Sequence, residues 1–135
     1  MVTFARNTGR LVEIRDDGVS RTGAGRVPFT RILTLADELG PNAKVIVCAD
    51  LRLARPIAPE HADKVGLVVR TSLTRVERGV TLLPSAAVAG MQFGRVFGEA
   101  HRGIGTIVGT VQQALDALDD VLTAAERLRL RAFLG

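Results

Sequence analysis

Tryptophan and tyrosine are absent from this chain, and phenylalanine occurs only 5 times in 135 residues. The core must therefore be filled by Val, Leu, Ile and Ala. The single cysteine, Cys48, excludes an internal disulfide. It lies in the apolar run Val45-Ile46-Val47-Cys48-Ala49, so a buried core thiol is the expectation. A reactive nucleophile would need a neighbouring base and some exposure, and the local sequence supplies neither. Long hydrophobic runs are missing too. The longest uncharged stretch, Gly79 to Gly94, is broken by Pro84-Ser85 and falls short of the ~20 apolar residues that a membrane span needs. The opening Met1-Val2-Thr3-Phe4-Ala5-Arg6 has no apolar segment of the kind a secretory leader needs, so a soluble, cytoplasmic protein is expected. Lysine is nearly absent: Lys44 and Lys64 are the only two among 18 basic residues. The net charge is +4, but the arginines are spread along the chain without interleaved aromatics, and nucleic acid is not an expected partner.

What is present suits one domain spanning 1–135. Its 47% apolar content suffices for a core without metals or disulfides, and no repeat, low-complexity run or compositional break divides it. Val2 to Phe4 and Leu11 to Arg15 read as strands joined at Asn7-Thr8-Gly9, an antiparallel hairpin. In the second strand Leu11, Glu13 and Arg15 face one way and Val12 and Ile14 the other, which suits a strand with one wet side. Val19 to Val27 reads as a loop or a ragged edge. A helix is predicted from Pro28, with Phe29, Ile32, Leu33 and Ala36 at helical spacing, ending at Gly40-Pro41. Lys44 to Asp50 is the clearest strand, apolar without alternation, as in a strand covered on both faces. A helix follows from Pro59-Glu60, then a strand from Val76 to Leu83, a helix from Ala86 to about Ala100 and a short strand from Ile104 to Val108. Thr110 to Gln113 and Thr123 to Glu126 both have capping-box form and open two last helices, with 122–135 a C-terminal helical extension. Strands alternating with helices predict an α/β fold: a mixed sheet of about five strands, hairpin first and the remainder mostly parallel, with four to five helices.

Chemistry-bearing motifs are sparse. Gly23-Ala24-Gly25 and Gly103-Ile104-Gly105 lack the strand–turn–helix setting that holds a pyrophosphate, and no GxxxxGK[ST] run occurs. His61 and His101 lie in no metal-ligand spacing. His61 falls in the first turn of a helix, and His101 follows the end of one, where it suits the helix dipole. The acidic pairs Asp16-Asp17, Asp37-Glu38 and Asp119-Asp120 read as solvated charge, since acid–base work needs carboxylates converging in a cleft. The serines Ser20, Ser72 and Ser85 lie in no GxSxG setting. No catalytic residue, cofactor site or metal site is assigned, and the chain is not expected to be an enzyme. Gly90, Gly94 and Gly98, four apart, line one ridge of a helix. The ridge suits close packing on the helix's own sheet, or a contact between two copies. In the last helix Arg127, Arg129 and Arg131 stand beside Leu128, Leu130, Phe133 and Leu134. It reads as a cover for the core, or as a docking helix for an acidic partner.

The stretch from Lys44 to Asp120 resembles the STAS-like domains, the group related to anti-sigma factor antagonists. The matching features are Val45-Ile46-Val47-Cys48-Ala49-Asp50-Leu51-Arg52, Arg75-Val76-Glu77-Arg78, Leu82-Leu83-Pro84-Ser85 and Met91-Gln92. The resemblance implies helices packed mainly on one side of the sheet. It also implies a mostly non-catalytic, regulatory module that binds a partner protein and is switched by phosphorylation of a Ser or Thr after the central strand. A phosphate there would add about −1.5 to −2 charges. This sequence departs from that pattern, because Asp50 to Asp63 reads DLRLARPIAPEHAD, with no Ser or Thr. The expected recognition surface is this strand end, with Asp50, Arg52, Arg55, Glu60 and His61 as partner-binding residues. The alternatives are a self-associating scaffold, a homodimer built on Gly90, Gly94 and Gly98, and a domain that holds a small or lipidic ligand.

Overall fold

The apolar run before Asp50 becomes the middle of the sheet because both of its faces find partners. The computed structural model describes residues 1–19, 30–101 and 103–135. The Gly23-Ala24-Gly25 loop, the helix start at Pro28-Phe29 and the side chain of His101 lie outside what is described.

Strands β1 (Val2–Thr8) and β2 (Leu11–Asp16) form the antiparallel hairpin, with Val2 opposite Asp16 and Thr8 opposite Leu11. Gly9 turns it with a φ of 56°, a left-handed conformation that glycine adopts without strain. Helix α1 (Arg31–Asp37) leads to β3 (Val45–Asp50), and α2 (Pro59–Ser72) with a tight turn at Leu73–Arg75 leads to β4 (Val76–Leu82). Helix α3 (Ala87–His101), β5 (Gly105–Val108), α4 (Val111–Leu118) and α5 (Ala124–Leu134) complete the chain. The strands lie in the order β1-β2-β3-β4-β5, parallel everywhere except between β1 and β2. This is the mixed five-stranded α/β sheet that the element order predicts.

Each parallel step moves the chain one strand further in the same direction. Right-handed crossovers then put every connecting helix on one face. Helices α1 to α3 pack there, setting Ile32, Leu35, Val65, Val69, Phe93 and Phe97 on Val12, Ile14, Val45 and Val47. Helices α4 and α5 come after the last strand and cover the opposite face. Ala114, Leu118, Leu130 and Leu134 pack there on Leu11, Ile46, Cys48, Val80 and Leu82. The helices divide three and two, and β2 therefore has no wet side. Leu11 and Glu13, on the side expected to meet water, are both buried beneath this second layer.

Both capping boxes form. Thr110 Oγ1 accepts from Gln113 N at 3.1 Å while Gln113 Oε1 accepts from Thr110 N at 3.2 Å. Thr123 and Glu126 repeat the exchange at 3.2 and 2.8 Å, which satisfies backbone donors that a helix start leaves open. Among the described residues no helix is long and apolar enough to cross a membrane.

Candidate functional site

Five candidate residues lie on one stretch, from the end of β3 into α2, and the structure treats them differently. Asp50 points to the α4–α5 side and is buried. Its Oδ1 accepts from Arg52 N at 3.2 Å and Arg52 Nε at 2.9 Å; its Oδ2 accepts from Arg52 Nη2 at 2.9 Å and Arg15 Nε at 3.2 Å. Burial pushes the carboxyl up, but these donors outweigh it and hold Asp50 below the usual carboxylate range. The same contacts raise the Arg52 guanidinium.

The two arginines reach one step further. Arg52 Nη2 donates to the carbonyl of Leu134 at 2.8 Å, and Arg15 Nη2 donates to the carbonyl of Phe133. The Arg15 guanidinium also lies 4.3 Å from the centre of the Phe133 ring. The Asp50 cluster thus holds down the C-terminal end of α5, where the open carbonyls and the helix dipole favour cations. Asp50 is removed from the exposed surface expected for it, and Arg52 is half spent on α5.

The rest of the stretch faces outward. Leu51, Ala54 and Ile57 anchor the connection. Leu51 and Ala54 are buried, and Ala54 N donates to Leu51 O at 3.0 Å. The side-chain amide of Gln92 on α3 grips Ile57 from both sides: Gln92 Oε1 accepts from Ile57 N at 2.8 Å and Gln92 Nε2 donates to Ile57 O at 2.5 Å. Between these anchors Leu53 stands 65% exposed, with Arg52, Arg55 and Pro56 also exposed. Glu60 is exposed and His61 half-buried in the first turn of α2.

Two cavities lie on the α1–α3 side of the sheet. An open groove of about 720 Å³ runs between α2 and α3, with Gly66, Leu67, Met91 and Val96 along it and Asp63 and Arg70 towards its two ends. A second pocket lies inside the core between the sheet and α1–α3. It holds about 40 Å³, far below the ~300 Å³ at which small-ligand sites begin.

The glycine ridge of α3 faces its own chain. A Cβ on Gly90 would meet Pro84 O at 2.8 Å, one on Gly94 Leu83 Cδ1 at 3.5 Å, and one on Gly98 Ile107 Cδ1 at 3.3 Å. Gly90 is thus required for the helix to pass over the end of β4. Cys48 is fully buried, and burial, followed by the Asp50 charge, pushes its thiol up to about 12, so it stays protonated near neutral pH. Among the described residues no group of three or more His, Cys, Asp or Glu side chains could hold a metal ion.

Several residues that organise this end of the molecule carry no signal in the sequence. Glu13 is buried and paired with Arg129 of α5 at 2.6 and 2.8 Å. Gln92 and Arg15 acquire their roles only from partners distant in sequence, and Leu53 from the burial of Leu51 and Ala54 beside it. Glu126 is the exception, since its capping box marks it. Its second oxygen accepts from Arg10 N at 2.6 Å and ties α5 to the hairpin. Set against family models, curated proteins and solved structures, the chain matches none of them.

Proposed function

We propose that this chain is a non-catalytic, regulatory protein-binding module of STAS-like type, acting in the cytoplasm, and that it takes its partner on the loop 52–57 and the first turn of α2. The observation that carries the reading is the exposed Leu53 between Arg52 and Arg55, on a loop fixed at Leu51, Ala54 and Ile57. An apolar side chain flanked by arginines on a fixed backbone suits protein recognition, because little ordering entropy is lost on binding. Glu60 and His61 extend the surface into α2. With no Ser or Thr from Asp50 to Asp63, control of binding works by something other than Ser/Thr phosphorylation of this stretch.

Capture from native lysate on immobilised wild-type chain, beside Leu53→Asp and Arg55→Glu, tests the reading. A protein retained by the wild type and depleted about tenfold or more by Leu53→Asp is the expected result. Equal recovery on all three removes the loop from the account.

A further inference from the structure

We propose that two copies of this chain associate through α2, antiparallel, about a two-fold axis passing over Gly66 and Leu67. This surface adjoins the loop carrying Leu53 at Pro59 and Gln92 but uses α2 beyond its first turn, and the inference stands independently of the partner-binding reading.

The observation is the charge order along the outer face of α2. Asp63, Leu67 and Arg70 are all exposed and follow one another at spacings of four and three, so they share a face. Among the described residues neither Asp63 nor Arg70 has an ion-pair partner. Their midpoint falls between Gly66 and Leu67. A two-fold axis there places Asp63 of one copy on Arg70 of the other, and the reverse, about 10.5 Å apart along the helix. A parallel arrangement would set like charge on like charge. Antiparallel α2 helices also oppose their dipoles favourably.

The centre of this pattern is apolar. Leu67 is 62% exposed and Met91, across the groove on α3, is 78% exposed. Beside Leu67 the floor of the groove is Gly66, with Val96 3.5 Å from where its Cβ would stand. Near the axis, Leu67 of each copy meets the other's groove where Gly66 contributes no side chain. An exposed leucine, a receiving groove and a reversed charge pair around one axis are the parts of an isologous contact.

Sedimentation of the full chain from about 10 to 200 µM tests it, with circular dichroism to confirm that each variant is folded. The wild type is expected to dimerise, and Leu67→Glu to be monomeric throughout. Asp63→Arg and Arg70→Asp, each alone, should weaken dimerisation about fivefold or more, and the two together should restore it, because the swapped charges again face opposites. A wild type that stays monomeric overturns the proposal. So does a dimer indifferent to Leu67→Glu, or a double swap no better than either single change. A monomer that loses a different captured protein on Leu67→Glu, while Leu53→Asp leaves that capture intact, assigns the groove to that protein and equally overturns it.

Discussion

The two faces of the sheet are covered by helices held in different ways. On one face α1, α2 and α3 are each tied at both ends to neighbouring strands, so connectivity delivers them and apolar packing suffices to seat them. Among the described residues the polar ties on that side sit mostly on loops and helix ends. Gln92 grips Ile57, and Arg75 donates to Ala43 O and Gly40 O at 2.9 Å each and to Asp37 Oδ1 at the end of α1 at 2.6 Å. On the other face α5 follows β5 and α4, and among the described residues no strand of the sheet comes after it. It is fixed along its length by charged groups: Glu126 on Arg10 N, Arg129 on Glu13, and Arg15 and Arg52 on its last carbonyls. A helix that topology does not place needs directional contacts to choose one position on a face that apolar packing alone would leave loosely specified.

The sharpest way to break this comparison is to remove apolar contact from the polar-docked helix. Leu130, 1% exposed, packs on Leu11 and its neighbours, and Leu130→Ala should cost about 2–5 kcal/mol in urea unfolding. A cost under about 1 kcal/mol would mean that the charged contacts, not the layer beneath them, hold α5.

Glu126→Ala leaves two backbone donors, Thr123 N and Arg10 N, without their acceptor, and should cost about 1–3 kcal/mol. Its counterpart on the other face, Gln92→Ala, exposes the Ile57 backbone to water and should cost less. Hydrogen exchange should then report loosening confined to residues 51–58. Equal costs for the two would erase the difference between the faces.

Acid should act on the α5 face first. Asp50 and Glu126 both titrate below the usual carboxylate range in the folded chain. Each therefore adds stability above its unfolded value, near 4, and loses it as pH falls through the depressed folded value. Melting temperature should drop below about pH 4, and Asp50→Asn should flatten that limb while lowering the plateau. An unchanged limb would place the acid sensitivity elsewhere.

Much of the fold was legible because it is written in local pattern. The unbroken run before Asp50 announces a strand covered on both faces, and two threonines with a Gln or Glu three residues on mark the starts of α4 and α5 at their observed positions. The second layer was not legible from β2. Leu11 and Glu13 alternate with Val12 and Ile14 just as a half-wet strand would, and the charge that balances buried Glu13 comes from Arg129, 116 residues away, with Asn7 Nδ2 also donating to it at 3.3 Å. The candidate site divided for the same reason. Asp50 and Arg52 look like an exposed strand end until the carbonyls of Phe133 and Leu134 arrive to occupy them. Leu53 looks like one leucine among many until Leu51 and Ala54 are buried on either side.

The absence of Trp and Tyr, of a second cysteine and of long apolar runs determined, from sequence alone, a mainly aliphatic core without disulfide staples. The spacing of apolar residues determined the order of strands and helices. Which face each side chain meets was decided by tertiary structure, because alternation defines two sides of a strand but not what lands on them. The end of β3 is closed by α5 while the loop beyond it stays open, and that outcome rests on contacts between residues more than eighty apart, such as Arg52 and Leu134. No local window of sequence contains both partners of such a contact.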